Sequence, residues 1–281
     1  MLLWLALACT QPAEDSAVTR PGPDWPEVDN PVADPSWTAE EFMSELDAAL
    51  AMGVPEARTM QQAYLHLLSY GDAMCPGTEL FITDQFLRGC TSDLGAWYAG
   101  ITEYYDTRES KLDWQLHDWI LMADIEITDP EGHLFALGGH VAEQRAASFD
   151  SLDLVWNGQL KGSMMWEGDA ERYPTLVSAL LDTWVYRDSR GNTRVWYEGG
   201  VAWRDFQLSM INLQILNADC GWAPTGTLMM RDPGGAWYTM EFDGDCSACT
   251  NLRFGDSTDM GEVCPNLQPL IDQALDQANA P

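Results

Sequence analysis

Six of the seven cysteines, Cys75, Cys90, Cys220, Cys246, Cys249 and Cys264, lie beyond residue 70 and carry the plainest chemistry in the chain. An even set predicts three disulfides in an oxidising compartment. Cys246-Ser247-Ala248-Cys249 also has the spacing of a redox pair or of half a zinc site. A redox pair would open a helix after a strand, and its thiolate would want positive surroundings. Here Thr250-Asn251-Leu252-Arg253-Phe254-Gly255 follows, and Asp243 and Asp245 stand beside the motif. A zinc site would need a second pair of Cys or His ligands at similar spacing, and none follows. The motif therefore reads as structural. In a meander of strands over 206–218, 227–231 and 236–242, the first and third strands run the same way. That brings Cys220 to the end occupied by Cys246 and Cys249. The expected pairing joins Cys220 to one of these two, Cys264 to the other, and Cys75 to Cys90.

Acid–base chemistry has thinner support. The four histidines are His66, His117, His133 and His140. None has a carboxylate or second histidine at a metal-binding or catalytic spacing. Asp124 and Glu126 share one face of a strand and are the best carboxylate pair for a glycosidase-like hydrolase. In a chain with 44 acidic residues such pairs also arise by chance. No Gly-x-Ser-x-Gly elbow, His-Glu-x-x-His helix, phosphate-binding loop or Gly-x-Gly-x-x-Gly turn occurs. No catalytic residue, metal or cofactor is expected.

The thirteen tryptophans are the remaining chemical feature; ten fall between Trp97 and Trp237. Trp is favoured in strands, so core and cross-strand packing accounts for most of them. A sheet face bearing several would also make a platform for a glycan or apolar ligand. The candidates are Trp184, Tyr186, Trp196, Tyr197 and Trp203, near Gly199-Gly200, with Trp237 and Tyr238 as an extension. Neighbouring residues face opposite ways on a strand, so only alternate members can share that platform.

The elements that must position these groups are legible as local signals. Thr38 with Glu41 forms a capping box, and Trp37 with Phe42 a hydrophobic staple. Phe42, Leu46, Ala49 and Leu50 keep helical spacing up to Gly53. Pro55 opens a second helix carrying Met60, Tyr64, Leu67 and Leu68. The two form a helical hairpin over 38–71, and a C-terminal helix spans 266–279. Between Cys90 and Cys249 runs of β-rich residues flank Asp-initiated, Gly-containing turns at 129–132, 187–192 and 231–235. Asn157-Gly158 reads as a fourth turn, of type I′, and Ala170 to Leu181 as a short helix. The apolar phase flips between Met210 and Ile211, which predicts a bulge. Residues 36–281 are thus expected to be one mainly β, α+β domain: a large antiparallel meander sheet with helices at both ends, stapled by disulfides.

Residues 1–8, Met-Leu-Leu-Trp-Leu-Ala-Leu-Ala, run into Cys9. An apolar run ending in small residues before a cysteine resembles the signal and lipobox of bacterial lipoproteins. The resemblance implies lipidation of Cys9 and a membrane partner reached through that anchor. Thr10, rather than Asp, follows the cysteine, which by the same resemblance implies the outer membrane. Residues 9–35 hold six prolines, Pro12, Pro21, Pro23, Pro26, Pro31 and Pro35, and read as an extended tether. The formal charge of −30 repels phosphate backbones and excludes nucleic acid as a partner. The expected role is non-enzymatic binding or scaffolding in the cell envelope, the ligand being a glycan, lipid or protein. The alternatives are a carrier of hydrophobic ligands and the carboxylate hydrolase.

Overall fold

The computed structural model describes residues 34–76, 89–110, 114–148, 154–167, 176–203, 207–218, 221–255 and 258–280. The expected signal (1–8), Cys9 and the expected tether as far as residue 33 lie outside them, as does Cys220. Helices α1 (Ala39–Met52) and α2 (Ala57–Leu68) come first. Twelve strands follow: β1 (Cys90–Thr91), β2 (Trp97–Ser110), β3 (Trp114–Thr128), β4 (Leu134–Ser148), β5 (Leu154–Glu167), β6 (Leu176–Arg187), β7 (Thr193–Trp203), β8 (Gln207–Ala218), β9 (Gly221–Arg231), β10 (Trp237–Asp243), β11 (Thr250–Phe254) and β12 (Thr258–Val263). Helix α3 (Gln268–Asn279) closes the chain. The strands form one sheet in sequence order, each antiparallel to its neighbours.

Local chemistry explains the ends. Thr38 and Glu41 exchange both capping-box bonds, and Gly53 ends α1 at φ 74°. Four β-turns repeat one device: a side chain at the first position accepts the backbone N–H four residues on. Ser92 receives Ala96, Asp129 receives His133, Asp188 receives Asn192 and Asp232 receives Ala236. Two expectations are corrected. Asn157-Gly158 is not a turn but lies inside β5. Asn157 donates to the Thr183 carbonyl of β6 at 3.1 Å, and Gly158 leaves room for the Trp156 ring, which an added Cβ would meet at 2.7 Å. Nor is 176–181 helical, because this short apolar run pairs with β5 and β7 on its two sides. A six-residue apolar run does not distinguish the two states locally, and two available neighbours decide it.

One face of the sheet holds the core. Its stripe runs from Tyr98 through Leu121, Val141, Trp156, Val185, Tyr197, Met210, Leu228 and Tyr238 to Leu252, all essentially unexposed. Twelve strands about 4.8 Å apart span about 50 Å, whereas three helices side by side at 8–10 Å cover roughly 30 Å. To be buried in every strand, the sheet must curl around the helices. Mid-strand glycines permit the bend: Gly100 has φ 99° and Gly199 φ 114°. A Cβ there would sit 2.0 Å from the Asp124 carbonyl oxygen or 1.8 Å from that of Leu180. Such glycine kinks are how sheets acquire curvature.

Three tyrosines on the concave face each fix one helix. Tyr98 of β2 donates to the Leu67 carbonyl of α2, and Tyr197 of β7 to the Leu270 carbonyl of α3, both at 2.7 Å. Tyr238 of β10 accepts from the Trp37 N–H ahead of α1 at 2.9 Å. Burial, then the charges of Asp72 and Tyr70, pushes the Tyr98 phenol up to about 12. A buried Glu143 supplies the charged clasp. It receives Arg58 of α2 at 2.8 Å and 3.3 Å and lies 3.7 Å from Arg145. Arg145 in turn donates to the Ala280 and Gln277 carbonyls at the end of α3. A cation at a helix C-terminus satisfies carbonyls that have no partner inside the helix.

Disulfides join Cys75 to Cys90 and Cys249 to Cys264. Cys246 is disulfide-bonded as well.

Candidate functional site

Strand alternation divides the candidate aromatics between two faces. Trp184, Tyr186 and Trp196 stand on the convex face. Tyr197 is fully buried on the concave face, its hydroxyl committed to α3, and Trp203 is 7% exposed on that same face. Those two are therefore removed from the platform, because they occupy odd positions of β7 while Trp196 occupies an even one. Trp237 and Tyr238 divide likewise: Tyr238 packs on Trp37, Phe42 and Phe254 of the core.

What remains is compact. Trp184 and Trp196 face each other directly across β6 and β7, with ring centroids 6.2 Å apart and planes inclined by 22°. Asn157 lies opposite Trp184 on β5. One step along the same face are Asp182 and, beyond it, Lys161, whose Nζ is 3.5 Å from Asp182 Oδ2. His140 lies directly opposite Lys161 on β4. Trp196 Nε1, Asp182 Oδ1 and His140 Nε2 are buried and make no hydrogen bond. Burial first, and then the neighbouring Lys161, holds the His140 imidazole below its ordinary range, against the pull of Asp182. Buried polar atoms are nearly always paired, so these three are exceptions on this side of the sheet. The twin indole faces supply apolar stacking area at small cost in side-chain entropy. Trp184 and Trp196 were visible in the sequence as tryptophans of one predicted hairpin. Asp182, His140 and Lys161 were not, because their proximity depends on the register of four strands.

The other candidates are placed elsewhere. Asp124 and Glu126 do share the convex face of β3, but the residues across from them are Ile101 and Gly138, and Ala99 and Ala136. Asp129, Glu131 and His133 bring their ligand atoms within 4.8 Å of one another. Asp129 is committed to the turn: Oδ1 accepts from the Glu131 and His133 N–H groups, and Oδ2 meets His133 Nδ1 at 2.9 Å. Burial pushes its carboxyl up, but those hydrogen bonds outweigh it and leave it below the usual range. Asp188 and Asn192 build the same arrangement without a histidine, so turn closure explains the cluster. Cys249 bonds Cys264 rather than Cys246, so the two cysteines of the Cys-x-x-Cys motif are not joined to each other. His66 is exposed beside Tyr70. Among the described residues no helix is long and apolar enough to cross a membrane.

Comparison with protein-family models, curated proteins and solved structures finds no match to this chain.

Proposed function

We propose that this is an exported, lipid-anchored envelope protein that binds glycan through the convex face of its sheet, without catalysing a reaction. The carrying observation is the stacked Trp184–Trp196 pair, with Asp182 and Lys161 next along the same face. A sugar ring presents an apolar C–H face that covers an indole and peripheral hydroxyls that both donate and accept. Lys161 Nζ and Asp182 Oδ2, 3.5 Å apart and both partly exposed, can donate to and accept from such hydroxyls. A lipid chain would offer neither group a partner. A hydrophobic carrier would hold its cargo on the concave face, where α1, α2 and α3 already pack against the described strands. Two disulfides among the described residues accord with an oxidising compartment. Anchoring rests on the lipobox: acylation of Cys9 contributes about 0.8 kcal/mol per buried CH₂, so several chains hold the protein stably at the outer membrane. The proline-rich tether lets the strongly acidic portion stand clear of a negatively charged surface.

Glycan-array screening of the full chain, followed by fluorescence titration of the oligosaccharides retained, tests the binding site. Trp184→Ala and Trp196→Ala should each weaken binding about tenfold or more, since stacked aromatics typically contribute more than 1 kcal/mol. Undiminished binding by both variants would remove the platform. Cys9→Ser tests the anchor separately: it should abolish acyl labelling and release soluble protein, and wild-type retention in the membrane fraction would refute lipidation.

A further inference from the structure

Past the N-terminal end of α2, β2, β3 and β4 continue along the concave face and line a cleft. Its volume is about 390 Å³, and its walls include Arg108, Ser110, Gln115, His117 and Arg145. Three bases stand there in one row: Arg108 pairs directly with His117, and His117 directly with Arg145. Directly opposed side chains have Cβ atoms about 4.5–5.5 Å apart, so their donors converge on one strip of the cleft wall. The chain has only 14 Lys and Arg against 44 acids, so three adjacent bases are conspicuous.

Nearby carboxylates balance the row only in part. Asp106 meets His117 Nε2 at 3.0 Å and lies 3.6 Å from Arg108 Nε. Glu143 is divided between Arg58 and Arg145. Glu109, next to Arg108 on the strand, also lines the cleft. Arg58, Arg108, Arg145 and His117 thus stand with Asp106, Glu143 and Glu109 around the cleft. Arg145 is held by its α3 carbonyls, and its Nε is buried without a partner. Arg108 is 75% exposed and free to close over an occupant.

We propose that this cleft binds a small organic oxyanion, a carboxylate or a phosphate ester, whose acid group lies on the Arg108–His117–Arg145 row. The volume falls within the range of small-molecule sites, and paired arginines suit the planar or tetrahedral oxygens of such groups. The site is independent of the tryptophan pair, which lies on the opposite face.

Isothermal titration of the full chain in detergent with phenyl phosphate, benzoate and neutral benzamide tests it. Saturable, one-site binding of at least one anion is expected, with none of benzamide; which anion binds distinguishes the two sources of oxygen ligands. Arg108→Gln and His117→Gln should each weaken that binding about tenfold or more. An unchanged unfolding midpoint for Arg108→Gln would show the loss to be local. Absence of binding by both anions, equal binding of benzamide, or full affinity in both variants would overturn the proposal.

Discussion

Glu143→Gln should be among the most damaging single substitutions in the protein, although it alters neither shape nor volume. Glu143 is 1% exposed and Arg58 and Arg145 only 16% and 19%, so the triad is largely withdrawn from water. At an effective dielectric constant near 20, charges about 4 Å apart attract by about 4 kcal/mol. Removing the central anion forfeits the Arg58 interaction and the weaker one to Arg145, and leaves two arginines facing each other. Stranding buried charges in this way costs about 3–5 kcal/mol, a fall of roughly 10 °C in melting temperature for a domain of this size. Urea unfolding followed by tryptophan fluorescence measures the cost. Hydrogen exchange should show α3 loosening ahead of the sheet, because Arg145 holds its last carbonyls. A combined Arg58→Met, Glu143→Leu variant should recover the part of the loss due to Arg58, since that apolar pair carries no desolvation penalty, while Arg145 keeps only its α3 carbonyls. A cost below about 1 kcal/mol for Glu143→Gln, with α3 protection unchanged, would refute the view that this triad clasps the helices.

Two further outcomes follow from backbone and charge. Gly199→Ala should destabilise by about 3 kcal/mol or more in the same assay, because residue 199 has φ 114° and its new Cβ would lie 1.8 Å from the Leu180 carbonyl oxygen; Gly191→Ala, with open space at its Cβ, isolates the cost of positive φ alone. Asp72 has its carboxyl pulled down by the N–H groups of Asp93 and Met74, against burial, with Cys75 adding to the pull. A depressed carboxyl stabilises above its unfolded value near 3.9 and ceases to do so as pH falls through its lower folded value. The difference in melting temperature between the wild type and Asp72→Asn should therefore be full at pH 7, start to shrink only as pH falls below about 4, and disappear below the lower folded value; a difference independent of pH would contradict it.

What the sequence determined alone was whatever is specified within a few residues. The capping box at Thr38, the Gly53 stop, the turns opening at Asp129, Asp188 and Asp232, and the antiparallel order that short turns enforce all follow from local hydrogen bonding. The bulge was legible too, since adjacent Met210 and Ile211 cannot face one side of a regular strand; the structure has it as a register shift at Ile211–Gln214, with Asn212 at φ 48°. The pairing of Cys249 with Cys264 lay within what strand direction allowed. Half of the basic row was readable in principle, because residues equidistant from the Asp129–His133 turn face each other, and His117 and Arg145 are such a pair. The remainder needed tertiary structure. Residues 176–181 became a strand because two neighbours offered hydrogen bonds, and Asn157-Gly158 stayed extended because Trp156 and Thr183 required it. Tyr197 and Trp203 turned inward because the face that becomes concave must cover three helices. Which face that is depends on burial summed over all the strands, and no local window of sequence contains that sum.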